Sequence, residues 1–145
     1  MPTFSITSTS TSPTRLEAKA RQFTITVDEP PSLGGTDEGP NPVEFVLAAL
    51  AGCYNVVVQM VAQEQGVSLS DLRIDLEGDL DPSKLMGKDV TTRAGYDGLR
   101  MTIHASTDAD DATMEALLAA VEERCPVSDN LRNPCLLYTS DAADD

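Results

Sequence analysis

Two cysteines carry the chemistry open to this chain. Cys53 lies within an apolar run from Val43 to Val58 that reads as helix. Cys125 comes 72 positions later, closing a second helical segment and opening Cys125-Pro126-Val127-Ser128-Asp129-Asn130-Leu131. If both thiols reach one pocket, the pair can cycle between dithiol and disulfide. If they do not, Cys53 is a small core residue, as free cysteines often are. A nucleophilic cysteine must be a thiolate. Cys125 has a local means to become one, because the unpaired N–H groups at the start of a short helix would face its sulfur. Cys53 has no such means amid Ala, Leu, Val and Gly. It would need an arginine from elsewhere in the fold, and its surroundings alone favour an inert core thiol.

The elements that must position these thiols follow from local patterning. Residues 41–65 form the strongest helix, with Asn41 as N-cap, Pro42 at N1 and Glu44 at N3 to complete a capping box. Its body is apolar on most sides, which predicts burial, and Gly66 suits the C′ position. Residues 15–20 and 22–27 read as strands, with Phe23, Ile25 and Val27 alternating against polar neighbours. Residues 5–14, rich in Ser and Thr, read as a frayed end or loop. Pro30, Pro31, Gly34, Gly35, Gly39 and Pro40 mark a long loop before the helix. Alternation predicts strands over 72–80 and 99–105. An amphipathic helix spans 110–124, and a short helix spans 126–132 with Cys125 at its N-cap.

Composition narrows the function classes. At 145 residues the chain is expected to form one domain with a real core. Acidic residues outnumber basic ones 24 to 10, for a formal charge of −14, which argues against nucleic acid or an anionic membrane as partner. No stretch reads as long and apolar enough to span a membrane. The N-terminus has neither the basic start nor the apolar core of a signal peptide, so a cytoplasmic location is expected. There, a cysteine pair is more often catalytic or metal-binding than a structural disulfide. Three cysteines and one histidine without short Cys-x-x-Cys spacing give no zinc signature. The glycine loop fits neither a phosphate-binding nor a dinucleotide-binding pattern. His104, the single histidine, falls out of phase with Met101, Ile103 and Ala105 and is expected on an exposed strand face.

Residues 135–145 stand apart from the rest. The string Cys-Leu-Leu-Tyr-Thr-Ser-Asp-Ala-Ala-Asp-Asp resembles the translation of a transposase-type sequencing adapter. On that resemblance the natural sequence is interrupted near Pro134, and Cys135 carries no function. The alternative is a genuine acidic tail. Residues 1–14 are then a flexible N-terminal segment, and 15–134 the folded domain.

The segment from Leu33 to Cys53, Leu-Gly-Gly-Thr-Asp-Glu-Gly-Pro-Asn-Pro-Val-Glu-Phe-Val-Leu-Ala-Ala-Leu-Ala-Gly-Cys, resembles the OsmC/Ohr family of osmotically induced and organic-hydroperoxide-resistance proteins. Cys125 to Leu131 resembles the family's second cysteine motif, and Phe23 to Pro30 the strand before the Gly-Gly loop. The likeness runs in order from about residue 15 to 134. It implies an α+β fold of the OsmC-like type, with antiparallel sheets packed around long central cysteine-bearing helices in an intertwined homodimer. It also implies a thiol peroxidase. Cys53 would attack the distal oxygen of an organic hydroperoxide and become a sulfenic acid. Cys125 would condense with it to a disulfide, and a dithiol reductant, of lipoyl type in the Ohr branch, would restore both thiols. Neither metal nor flavin is called for, since sulfur performs the redox step.

The family activates its first cysteine with an arginine near the N-terminus. Arg21 is the candidate, since it shares strand parity with Phe23, Ile25 and Val27 and should point inward; the alternative is a solvent-facing arginine at a strand end. Arg15 is the fallback. A guanidinium remains charged when buried and can hold both a thiolate and a peroxide oxygen. In the hydroperoxide-resistance branch a glutamate directly follows the Asn-Pro pair, whereas here Val43 does and the acid is Glu44. Glu44 lies nine residues before Cys53, on roughly the opposite side of a helix turning about 100° per residue, so helix capping is its expected role. Two rival readings stay open: a non-catalytic relative that binds a small apolar or thiol ligand in the same pocket, and a structural module with inert thiols.

Overall fold

The computed structural model describes residues 1–139, so the end of the adapter-like string lies outside the described residues. The chain divides into two compact units, Met1–Ala48 and Ala49 onward.

The first unit is built on a three-stranded antiparallel sheet of β1 (Thr7–Ser10), β2 (Leu16–Ala20) and β3 (Phe23–Val27), in that order. β1 corrects the expectation of a loop over 5–14. Its four residues, Thr-Ser-Thr-Ser, are exposed on both faces and show no apolar alternation. The strand is held by its backbone ladder to β2, with Ser8 opposite Ala18. β-branched Thr suits such a surface strand, but a strand without a buried face leaves no pattern in the sequence. β2 and β3 pair from Leu16↔Val27 to Ala20↔Phe23.

Beyond β3 the chain is organised around Asp28, which is fully buried. Its carboxylate accepts the Glu29 N–H at 2.8 Å, the Thr36 hydroxyl at 2.6 Å, the Thr36 N–H at 3.1 Å and the Glu38 N–H at 3.2 Å. These bonds fold the loop from Pro30 to Pro40 back over one acceptor. The Thr36 hydroxyl is the foremost cause holding this carboxyl well below the usual carboxylate range, and burial opposes it without prevailing. Gly35 is required here because a Cβ would overlap the Glu29 carbonyl.

α1 (Pro42–Gln65) begins with the predicted chemistry. The Glu44 N–H donates to Asn41 Oδ1 at 2.9 Å and the Asn41 N–H to Glu44 Oε2 at 2.8 Å, a reciprocal capping box. It ends at Gly66, whose φ of 68° lets the Val67 N–H reach back to the Ala62 carbonyl at 2.9 Å. Contrary to the membrane reading above, α1 is long and apolar enough to cross a bilayer by length and composition. An 18-residue window has a mean hydropathy of 1.9, and 33% of that window is buried. Asn55, Gln59 and Gln63 interrupt the apolar run without adding charge, so its hydropathy stays high.

In the second unit, the inner side of α1 meets α2 (Asp111–Arg124) and a two-stranded antiparallel sheet of β4 (Ser70–Asp79) and β5 (Gly98–Ser106). Leu50, Tyr54, Val57, Val58, Val61 and Ala62 of α1 form one core with Leu117 and Val121 of α2 and with Cys125. Ile74, Leu76, Met101 and Ile103 cover it from the sheet. Each fully buried aliphatic side chain there contributes about 1.5–3 kcal/mol. The opposite sheet face is polar, and His104 is there as expected, with its ring 2.9 Å from Asp75. α2 is capped by Asp110, which accepts the Thr113 N–H at 2.8 Å. The elements are thus the mixture of helix and strand that the patterning predicts, with the antiparallel pairing that the family resemblance implies.

Candidate active site

Cys53 sits midway along α1, where its side chain packs against the core cluster and remains partly exposed. Cys125 occupies the joint between α2 and α3 (Pro126–Arg132), ending one helix and capping the next. Its N–H donates to the Val121 carbonyl at 3.0 Å, and its own carbonyl accepts the Asp129 N–H at 2.9 Å. Pro126 supplies the fixed φ that suits the first position of α3. This joint directs the Cys125 sulfur inward, where it is fully buried.

The two sulfurs lie 2.7 Å apart, with the Cys125 S–H donating to Cys53 Sγ. Both are free thiols. The Ser128 N–H donates to the Cys125 sulfur at 3.4 Å, as the helix start predicts. That bond does not make Cys125 a ready thiolate. Burial, followed by the neighbouring Cys53, pushes its pKa up, and the Ser128 N–H does not offset them. Cys125 thus holds its proton more tightly than an ordinary cysteine does.

The cations around the joint are engaged. Arg124 makes a bidentate pair with Glu64 at the end of α1. Arg132 pairs with Glu122 at 2.6 Å and donates to Ser128 Oγ at 3.2 Å. Ser128, buried beneath this arginine, was not singled out in the sequence, although its place three residues after an N-capping cysteine is a signal for it. Asp28 was missed too, since a single acid after a strand looks like any loop residue.

Arg21 is not part of an inward-facing strand row. It lies in the turn between β2 and β3 with a φ of 55°, and its guanidinium stacks 5.1 Å from the ring centre of Phe23, itself 52% exposed. The parity argument fails because pairing of Ala20 with Phe23 leaves Arg21 and Gln22 to make the turn. Arg15 is better enclosed, with 22% of its side chain exposed. It donates to Glu17 at 3.2 Å, and its Nε lies 2.6 Å from Glu38 in an alignment too poor for a hydrogen bond. Glu44 is engaged in capping. Cys135 is exposed in an irregular segment.

A partly exposed thiol and a buried thiol in contact, held by a helix and a helix joint in a mixed helix and sheet fold, define a two-cysteine domain. The family described as OsmC-like protein matches residues 35–140, and the chain belongs to that family. It is 27% identical over 101 residues to the uncharacterised protein YmaD of Bacillus subtilis, a match covering 68% of this chain and 65% of that protein. It thus spans somewhat less than two thirds of that relative. Its fold is similar to that of an OsmC-like protein from Mycoplasma pneumoniae, at 18% identity and a TM-score of 0.78, over 92% of this chain and 89% of the other. It is also similar to an organic hydroperoxide resistance protein OsmC from Legionella pneumophila, at 25% identity and a TM-score of 0.65, over 92% and 91%.

Proposed function

We propose that the protein is a thiol peroxidase that reduces organic hydroperoxides through Cys53 and Cys125. The observation that carries this reading is the 2.7 Å approach of a partly exposed sulfur and a buried one. The Cys53 thiolate attacks the distal peroxide oxygen. The O–O bond breaks, an alcohol leaves with a proton, and a sulfenic acid remains on Cys53. Cys125 Sγ then attacks the sulfenic sulfur, the disulfide forms and water departs. Two thiols of a small dithiol reductant return the pair to its starting state.

The active form in this reading is a homodimer. α1 leaves Val56 at 55% and Met60 at 47% exposed on an otherwise core-forming helix, an apolar surface that a second copy would cover.

The test is to treat pre-reduced protein with cumene hydroperoxide and follow peroxide loss and protein mass. One equivalent consumed, with loss of two hydrogens from a Cys53–Cys125 peptide pair and no change in Cys53→Ser, is expected. Thiols that stay reduced under excess peroxide would overturn the reading. A second reading, a binder of small apolar or thiol ligands without turnover, is favoured by Glu44, whose capping role leaves it unavailable to orient an arginine. That protein would melt at a higher temperature with ligand and show no oxidation.

A further inference from the structure

The two sulfurs differ in which of them an outside molecule can reach. Cys125 is fully buried in a core that includes Leu117 and Val121, both also without exposure. Its backbone closes α2 through Val121 and opens α3 through Asp129. A second copy of the chain can add cover to the Cys125 sulfur and can remove none. Cys53, by contrast, is partly exposed.

We infer that the reductant attacks the Cys53 sulfur of the oxidised pair, so that Cys53 is the entry point for both oxidant and reductant and Cys125 only an internal partner. This rests on the two-thiol cycle proposed above. Thiol–disulfide exchange depends on which sulfur is accessible as well as on thiol acidity. A thiolate of the reductant bonds to Cys53 Sγ. The Cys53–Cys125 bond breaks, its electron pair stays on Cys125, and that sulfur takes up the proton released by the incoming thiol. The Ser128 N–H faces the departing sulfur at 3.4 Å. The second thiol of the reductant then attacks the reductant's own bound sulfur, releases Cys53 and leaves as a disulfide. Two electrons pass from the dithiol to the protein.

The experiment uses the Cys135→Ser chain oxidised with diamide, so that the pair closes without any hydroperoxide. Brief exposure to cysteamine, a monothiol, followed by acid quenching, alkylation and peptide mass mapping, locates the mixed disulfide. Cysteamine on the Cys53 peptide in about tenfold excess over the Cys125 peptide is expected from the difference in access. Cysteamine mainly on Cys125, or evenly divided, overturns the inference, as does failure of diamide to join the two cysteines. A pair that diamide closes and cysteamine opens at Cys53, but that cumene hydroperoxide never oxidises, would leave this regiochemistry standing and sink the peroxidase reading alone.

Discussion

The Cys125 S–H donates to the Cys53 sulfur across 2.7 Å, between residues 72 positions apart in the chain. The two roles are unequal, and single substitutions should separate them. Cys53→Ser leaves a buried thiol with a raised pKa, so hydroperoxide consumption should fall by about three orders of magnitude. Cys125→Ser keeps the nucleophile and removes its internal partner. It should consume peroxide once and then gain further oxygen atoms on Cys53 as sulfinic and sulfonic acids. Equal residual rates in the two variants would contradict this division.

Closing the pair should also stabilise the fold. A disulfide across this separation restricts the unfolded chain by about 4 kcal/mol in the chain-entropy treatment. For a chain of this length that corresponds to a rise in Tm of roughly 10 °C. Differential scanning calorimetry of diamide-oxidised and reduced protein measures it, and dithiothreitol should reverse the shift. Identical melting curves would mean that the bond either does not form or distorts the joint between α2 and α3.

What could be read in advance was the local chemistry. Asn41, Pro42 and Glu44 specify the start of α1 within a few residues of sequence, and the capping box is found as expected. Alternation specified β4 and β5, because each has one face on the core and one in solvent. The meeting of Cys53 and Cys125 was not legible from spacing, since it depends on how α2 crosses α1 and on the turn at Pro126; only the family resemblance pointed to it. Arg21 was misplaced because strand parity does not extend through a turn at positive φ. β1 was missed because both its faces are exposed. Asp28 became informative only once its donors, spread from Glu29 to Glu38, converged on it.

Leu117 is fully buried beside Val121 in the core that holds Cys125. Leu117→Ala should destabilise the protein by about 2–5 kcal/mol, the range for removing a leucine side chain from a close-packed core. Urea denaturation of the reduced protein measures it. A loss below about 1 kcal/mol would show that the helices around Cys125 can collapse into the space.

Leu136, Leu137 and Tyr138 are exposed, and the segment from Asn133 to Thr139 forms no helix or strand. A chain ending at Pro134 should therefore keep its stability to within about 0.5 kcal/mol, as changes at unpacked surface positions do. Cys135→Ser should leave peroxide consumption unchanged. A larger loss in either variant would assign the segment a role in the fold or the cycle.

Asp28 makes the stability of the first unit sensitive to acid. In the folded chain its carboxyl is held well below the ordinary value of 3.8, foremost by the Thr36 hydroxyl and further by the Glu38, Glu29 and Thr36 N–H groups. A carboxyl whose folded pKa is lowered binds protons more readily when unfolded. Its contribution is therefore fully present above the unfolded value and is lost progressively as the pH falls below it. Asp28→Asn keeps the size but sets an NH2 group among donors that need acceptors, so the variant should be destabilised at neutral pH. It should also show a flatter acid limb. Urea midpoints measured from about pH 7 to about pH 3 should fall more steeply in the parent chain than in Asp28→Asn, so that the two curves converge toward the acid end. Parallel curves over that interval would show that other carboxylates carry the acid sensitivity.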